Sequence, residues 1–156
     1  MIESHIAYYK SPIGYFEITG SVEGLHSLEF LDEDSVPESE VPLCLITCFE
    51  QLDEYFAGTR TEFNLRLKPK GTDFQNRVWQ QLLKIPFGKT VSYLDIAKAL
   101  GNEKAIRAVG AANGRNRIPV IIPCHRVIGS DGSLIGFGGG IWRKEFLLRH
   151  EGAVLV

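Results

Sequence analysis

The second half of the chain takes its architecture from the stretch SYLDIAKALGN, residues 92–102. Ser92 suits an N-cap, the apolar residues that follow recur at helical spacing, and Gly101 is a residue type that commonly ends helices. A further helix is predicted from about Glu103 to Ala112, so that the tight turn Gly101-Asn102 joins two short helices. This pattern indicates a helix-turn-helix, although most such helix pairs in proteins bind no DNA.

Further helices are predicted on both sides of this pair. The stretch TDFQ, residues 72–75, fits a capping box, with Thr72 as the N-cap and Gln75 three residues later. Pro86 and Gly88 break the helix that follows, and residues 142–151 form the last helical pattern. The second half is therefore predicted to be mostly helical.

The first half predicts a small sheet with one helix. Residues 6–19 alternate in polarity around a Pro12-Ile13-Gly14 turn, and residues 25–31 indicate another strand. Residues 43–57 carry apolar side chains at helical spacing before a helix-ending glycine. Residues 63–67, FNLRL, alternate like a strand, so this half is expected to be an α/β unit.

Charge divides the chain near its middle. Residues 1–70 hold 5 Lys and Arg against 13 Asp and Glu, a net charge of −8, whereas residues 71–156 hold 12 against 6, a net charge of +6. The predicted division is a support domain at residues 1–68, a linker at 69–71 and a second domain at 72–156. The segment from Lys104 to Ser130 contains no acidic residue. Nucleic acid is therefore an expected partner of the second domain. The alternative is that the protein simply has two solvated faces of different charge.

Composition excludes several classes of protein. Hydrophobic residues make up 44% and charged residues 23% of the 156 residues, as in a globular chain. No apolar run approaches the roughly 18–20 residues needed to span a bilayer, and residues 1–5 do not start a signal peptide. Three cysteines are too few for a disulfide framework. The chain is expected to be a monomer in the reducing cytoplasm, with no membrane contact and no obligate protein partner.

Cys124 is the strongest candidate for chemistry, within IPCHRV at residues 122–127. A cysteine is a nucleophile only as a thiolate, which needs nearby positive charge, a base or a helix N-terminus. His125 and Arg126 adjoin it, and the glycines of residues 136–140 could let backbone amides approach a ligand. A buried core cysteine and a Cys–His hydrolase are the alternatives. Neighbours on an extended segment point to opposite sides, so His125 need not touch Cys124 directly.

Five motifs of the second half resemble one known family, the O6-alkylguanine-DNA alkyltransferases, also called methylated-DNA–protein-cysteine methyltransferases. They are PCHRV at residues 123–127, GTDFQNRVW at 71–79, VSY and IA within 91–97, RAVG at 107–110 and LLRHEG at 147–152. The first half matches in domain layout only. The resemblance implies an α+β two-domain fold. A ribonuclease-H-like domain, with a three-stranded antiparallel sheet and a helix, would precede a mostly helical, winged helix-turn-helix-like domain.

The resemblance also implies a single-turnover repair reaction. A methyl or alkyl group would pass from O6 of guanine, and less efficiently from O4 of thymine, in duplex DNA irreversibly to Cys124. The target base would first be flipped out through the minor groove. His125 would act as the base through a water, and Glu151 would orient His125. Double-stranded DNA that contains O6-alkylguanine is the expected partner, and no cofactor or metal is expected.

Further site residues follow from the resemblance alone. Tyr93 would donate to guanine N3, the Gly138 N–H would contact O6, and backbone carbonyls at Cys124 and Val127 would accept from the exocyclic amine. Asn116 would hold the active-site turn. The implied DNA contacts are Arg107, which would fill the space that the base vacates, with Lys104, Ala108, Gly110, Arg115 and Arg117.

The sequence departs from the family pattern at one aromatic residue and at the zinc site that some members carry. Phe137 stands where many members carry a tyrosine, which removes one hydroxyl donor toward O6. Some members bind zinc in the first domain, but Cys44 and Cys48 lie four apart in an apolar stretch, which favours core positions.

A module that recognises alkylguanine without transfer is one rival function, which the presence of Cys124 disfavours. A transcription regulator that uses only the helix-turn-helix is the other.

Overall fold

A computed structural model describes residues 2–153, which fall into two compact units divided between Lys70 and Gly71. The outer limits of the predicted domains, Met1 and Val156, lie outside the described residues. Within residues 2–153, no helix is long and apolar enough to cross a membrane.

The first unit is an antiparallel sheet that carries one helix. Its strands β1 (His5–Ser11), β2 (Gly14–Ser21) and β3 (Gly24–Leu31) pair in that order, and helix α1 (Ile46–Phe56) follows a 3-10 turn at Leu43–Leu45. Tyr9 of β1 packs edge-on against Phe49 of α1, with 5.3 Å between ring centroids. This aromatic contact holds the helix on the sheet, and the predicted sheet and helix are confirmed.

The predicted strand at residues 63–67 is wrong. Only Leu67 forms a bridge, parallel to Leu25, while Leu25 N donates to Arg66 O at 2.9 Å. The Gln51 side chain satisfies the Asn64 backbone instead, because its Nε2 donates to Asn64 O at 3.1 Å and its Oε1 accepts from Asn64 N at 2.9 Å. A buried side chain of α1 therefore replaces the ladder that the alternation predicted.

The two cysteines of the first unit differ in burial. Cys48 on α1 is 1% exposed, and burial raises the pKa of its thiol to about 12. Cys44 is half-buried in the preceding turn. Across residues 2–153, no group of three or more His, Cys, Asp or Glu side chains is placed to hold a metal ion.

The second unit is mostly helical, as predicted. Its elements are α2 (Asp73–Leu82), β4 (Val91–Ser92), α3 (Tyr93–Ala99), α4 (Ile106–Gly114), β5 (Val127–Ile128) and α5 (Ile141–His150). The backbone at Gly101 has a φ of 79°, which lets the chain turn from α3 toward α4. The buried Trp79 of α2 donates from Nε1 to Ala112 O of α4 at 2.9 Å, and this contact joins the two helices.

Both predicted N-caps, Thr72 and Ser92, belong to complete capping boxes. Thr72 Oγ1 accepts from Gln75 N at 3.1 Å, and Gln75 Oε1 accepts from Thr72 N at 2.9 Å. Ser92 and Asp95 make the same reciprocal pair at the start of α3, at 3.0 and 2.8 Å. Ser92 also ends β4, which pairs in parallel with β5 so that Val91 lies opposite Val127. This pairing brings the start of α3 beside the segment that contains Cys124.

Thr72→Ala is expected to lower the free energy of unfolding by about 1 kcal/mol, because it leaves an N-terminal amide of α2 without its acceptor. Urea unfolding followed by far-UV circular dichroism measures the change. Thr61→Ala, at an exposed position outside the helices, is the control and is expected to shift stability by less than about 0.5 kcal/mol. Equal shifts for the two variants would contradict the contribution of the cap.

Candidate active site

Cys124 begins a tight turn and does not lie on an extended segment. Residues 124–126 form a 3-10 turn that leads directly into β5. The chain enters this turn through Val120, whose φ of 74° is unusual for a β-branched residue. Asn116 stabilises the backbone on both sides of Val120, because its Nδ2 donates to Ile122 O at 2.7 Å and its Oδ1 accepts from Ile118 N at 3.0 Å.

The Cys124 side chain is buried at 4% exposure. Burial raises the pKa of its thiol to about 11, while hydrogen bonding to Asn116 and the charge of Lys144 lower it in part. The thiol is therefore protonated at neutral pH, and a reaction at sulfur requires a group that accepts its proton.

Such a group adjoins Cys124 in a buried network centred on the Glu151 carboxylate. His125 Nε2 lies 2.8 Å from Glu151 Oε2, and Arg126 donates from Nε and Nη2 to the two carboxylate oxygens at 2.8 and 2.9 Å. The Gly88 N–H donates to the same carboxylate at 3.3 Å, and Arg126 Nη1 donates to Ile85 O at 2.6 Å. The charge of the buried glutamate is thus shared by two side chains and one amide.

The network fixes the protonation states of its members. Burial alone would raise the pKa of Glu151, but hydrogen bonds from His125 and Arg126, and their charges, hold it well below its usual range. Burial, together with the charges of Arg126 and Lys144, lowers the pKa of His125 by more than Glu151 raises it, so the imidazole is neutral at pH 7. With Nε2–H donated to the carboxylate, Nδ1 carries the lone pair, and it has no hydrogen-bond partner among residues 2–153. His125 can therefore accept a proton at Nδ1.

Tyr93 and Lys144 meet at the start of the glycine-rich loop, residues 136–140. The Tyr93 hydroxyl and Lys144 Nζ both donate to Ile135 O, at 2.9 and 2.8 Å. Burial lowers the pKa of Lys144 to about 8, and the negative charge of Cys124 in its thiolate form opposes this shift. A Cβ on Gly136 would lie 3.0 Å from the Tyr93 hydroxyl, and one on Gly138 would lie 3.7 Å from Gly114 O. The absence of side chains at these glycines lets the loop approach both α3 and the end of α4.

The predicted DNA-contacting residues lie on α4 and on the segments directly before and after it. Those with exposed side chains or surfaces are Lys104, Arg107, Ala108, Arg115 and Arg117, whereas Gly110 is half-buried. The same helix ends beside Cys124, because Asn113 Nδ2 donates to Cys124 O at 3.3 Å. One helix thus joins a basic surface to the candidate nucleophile.

Sequence reasoning missed three residues that contact this site. Arg126 lies inside the recognised PCHRV motif, but its two bonds to Glu151 span 25 residues of chain. The sequence could have indicated Lys144, because it lies three and four residues before the buried Leu147 and Leu148. At this spacing its charge falls on the buried face of α5. Asn113 had none, since its contact depends on the turn at Cys124.

The fold and the site together define a helix-turn-helix domain that carries a buried cysteine beside a neutral histidine base. Family models match both units. Residues 73–153 match the 6-O-methylguanine DNA methyltransferase DNA-binding domain, and residues 5–69 match its ribonuclease-like domain.

Individual relatives agree over nearly the whole chain. The chain is 46% identical over 154 residues to the methylated-DNA–protein-cysteine methyltransferase of Methanosarcina acetivorans, covering 96% of this chain and 99% of that one. The crystal structure of Mycobacterium tuberculosis OGT in complex with DNA superposes with a TM-score of 0.87 at 47% identity, covering 95% of this chain and 92% of that one. The O6-methylguanine methyltransferase of the same organism gives 0.86 at 45% identity, covering 96% and 93%.

The chain belongs to the methylated-DNA–protein-cysteine methyltransferase family. It is a DNA-binding repair enzyme that transfers methyl groups from methylated DNA to a protein cysteine.

Proposed function

We propose that this enzyme transfers a methyl or larger alkyl group from O6 of guanine in duplex DNA to Sγ of Cys124, once per molecule. O4 of thymine is a poorer donor. The observation that carries the proposal is the site itself, in which the buried Cys124 shares one turn with His125, and His125 bonds to Glu151 at 2.8 Å. The two cysteines of the first unit lie apart from this turn in sequence: Cys48 is buried on α1 and Cys44 lies in the 3-10 turn before it.

The transfer forms one bond and breaks another. The sulfur lone pair attacks the alkyl carbon, and the C–O6 bond breaks with its electron pair on the guanine. The thiol proton passes through a water to His125 Nδ1 and is then released to the solvent, and the departing guanine anion takes up one proton from the solvent. A carbon–sulfur bond to the protein is not hydrolysed, so each molecule reacts once.

The neighbouring groups are proposed to stabilise the guanine as it leaves. Tyr93 donates its hydroxyl to N3 and the Gly138 N–H points to O6, where negative charge develops. Val127 provides a carbonyl for the exocyclic amine, and Asn116 keeps the turn in place. The buried ammonium of Lys144 keeps Ile135 O bonded when the Tyr93 hydroxyl turns to the base.

The DNA is proposed to bind along α4 through its minor groove, with the base flipped out of the stack. Extrusion costs about a few kcal/mol, and Arg107 offsets this cost by filling the vacated space. Ala108 and Gly110 allow close approach of the helix, while Lys104, Arg115 and Arg117 contact phosphates. These basic residues support sequence-tolerant, salt-dependent binding.

We further propose that residues 1–68 support the transfer domain at 72–156 through a linker at 69–71, and that the enzyme works as a monomer in the cytoplasm. All three cysteines are free thiols, which supports a reducing compartment.

Intact-protein mass spectrometry tests the proposal. The enzyme is mixed with a duplex that contains one O6-methylguanine, and the modified peptide is then mapped. One methyl group on Cys124, saturating at one per molecule, is the expected result. Tight lesion binding without a mass change would favour recognition alone, and no preference for the lesion would overturn the proposed substrate.

Phe137→Tyr is expected to raise the transfer rate about two- to tenfold, because the added hydroxyl supplies one more hydrogen bond toward O6. Single-turnover kinetics with the O6-methylguanine duplex measure it. Phe146→Tyr is the control, since it adds the same hydroxyl to a half-buried ring that stacks on His150. An unchanged rate for Phe137→Tyr would show that a donor at this position does not contribute.

A further inference from the structure

Trp142 is an exposed aromatic residue at the edge of the candidate active site. It lies on the first turn of α5, directly after the glycine-rich loop, and at 56% it has the highest exposure among the large apolar side chains described in the second unit. Trp79, the other tryptophan of the chain, is buried and donates to Ala112 O. An indole offers a large apolar surface with few rotatable bonds, so exposed tryptophans are favoured on surfaces that a partner covers.

Arg143 and the loop set the position of the Trp142 ring. The Arg143 guanidinium lies over the ring, with Cζ 4.6 Å from the ring centroid, and Arg143 Nη1 donates to Gly139 O at 3.0 Å. A cation in this position is attracted to the negative face of the ring. A Cβ on Gly140 would lie 3.2 Å from Trp142 Cδ1, so the glycine also lets the ring approach the loop closely. The ring is therefore an exposed flat surface whose position is fixed by contacts within the protein.

The loop that supports this ring also contacts the end of α4. A Cβ on Gly138 would lie 3.7 Å from the carbonyl oxygen of Gly114, the last residue of α4. Arg115 and Arg117 follow α4 closely and are exposed. The match to the DNA-binding family model includes both this helix and Trp142. Trp142 thus continues the surface on which the duplex is proposed to bind.

The charges near Trp142 favour a polyanion as the partner. Arg143 and Lys144 follow it directly. Glu145, the next acid along the chain, is paired with Arg149 at 2.9 Å. Positive charge attracts the phosphate backbone, whereas an indole packs on the flat face of a base or on the apolar side of a deoxyribose. A basic surface with an aromatic platform is the combination by which proteins hold a nucleic acid strand without reading its sequence.

We propose that Trp142 packs against the lesion-containing DNA strand, beside the flipped nucleotide. This role rests on the DNA surface and the flipped guanine of the proposed function. Gly138 contacts O6 of the guanine in that proposal, and Trp142 lies against Gly140, two residues further along the same loop. The strand that carries the guanine passes this loop, so a neighbouring nucleotide meets the ring. The DNA surface of the enzyme then extends from α4 across the glycine-rich loop to the first turn of α5.

Affinity for a duplex that contains one O6-methylguanine tests this role. The variants are made in the Cys124→Ala protein, so that transfer does not consume the lesion, and fluorescence anisotropy measures Kd at several salt concentrations. Trp142→Ala is expected to weaken binding about tenfold, the effect of losing one stacked base. Trp142→Phe keeps a flat ring and is expected to weaken binding less than about threefold. Leu43→Ala, at an 87% exposed apolar position in the first unit, is the control and is expected to bind like the parent.

Salt dependence separates the contribution of the ring from that of the charges around it. The slope of log K against log salt reports the number of phosphate contacts. Trp142→Ala is expected to leave this slope unchanged, whereas Arg115→Ala is expected to reduce it by about one. Acrylamide quenching of fluorescence gives an independent readout, because Trp142 is exposed and Trp79 is buried. Bound duplex is expected to lower the quenching constant, since the strand covers the ring.

Parental affinity in Trp142→Ala, or an unchanged quenching constant in the complex, overturns the role of Trp142. If Arg115→Ala also leaves both Kd and the salt slope unchanged, the proposed DNA surface is wrong as well. Self-association of the parent that Trp142→Ala abolishes, without a change in Kd for the duplex, would assign the ring to a second copy of the chain and overturn the proposal.

Discussion

Cys124→Ala is expected to abolish methyl transfer from O6-methylguanine while the protein still binds the same duplex. The variant removes the only atom proposed to form the new carbon–sulfur bond, and it leaves α4 and its basic surface in place. Loss of one small buried atom costs about 1 kcal/mol of stability, so the fold is retained. Intact mass after incubation measures transfer, and fluorescence anisotropy with the lesion duplex measures binding.

Cys44→Ala and Cys48→Ala are the controls for this loss. Both residues lie in the first unit, one half-buried in the turn before α1 and one 1% exposed on α1. Each control is expected to take up one methyl per molecule like the parent. A methylated Cys124→Ala protein would show that another residue receives the group, and the proposed nucleophile would be wrong.

The helices of the second unit were predictable because their signals are local. Thr72 with Gln75, and Ser92 with Asp95, make the reciprocal bonds that the capping-box pattern describes, within four residues of chain. Alternation at residues 63–67 was misleading, because a strand also needs a partner strand. The Gln51 side chain, 13 residues away, takes the backbone bonds that such a partner would take.

The site was predictable where a motif carries it and not where contacts depend on the fold. PCHRV and the final glutamate were recognisable in the sequence, and the structure places His125 and Glu151 in contact. The resemblance implied an active-site turn held by Asn116, but the sequence did not predict that residues 124–126 form a 3-10 turn. Arg126 and Asn113 reach their partners across 25 and 11 residues, distances over which sequence spacing carries no geometric information.

Glu151→Gln is expected to lower the free energy of unfolding by about 3–5 kcal/mol, because it removes the charge that compensates the buried Arg126. The glutamine amide has one acceptor where the carboxylate has two, and its NH2 must face either Arg126 or His125, which are both donors here. His125 would lose the bond that keeps the proton on Nε2. By analogy with other nucleophile–base–carboxylate sites, transfer is expected to slow by up to about 10⁴-fold.

Glu145→Gln is the matched control for this variant. Glu145 lies on the same helix, α5, and makes an exposed pair with Arg149 at 2.9 Å. An exposed pair of this kind contributes about 0.2–1 kcal/mol, so the control should differ little from the parent in stability or rate. Urea unfolding at pH 7 and single-turnover kinetics give the two quantities.

The pH dependence of stability separates loss of the carboxylate charge from loss of packing. The pKa of Glu151 is held well below its usual range in the folded protein, whereas in the unfolded chain it returns to about 4.3. The unfolded state therefore binds more protons below that pH, and the stabilisation present above about pH 4.3 is lost as pH falls toward the folded pKa. Glu151→Gln cannot titrate, so the gap between parent and variant is expected to be largest near neutral pH and to narrow as pH falls below 4. A gap that stays constant over this range would mean that Glu151 stabilises the fold through its shape and not through its charge.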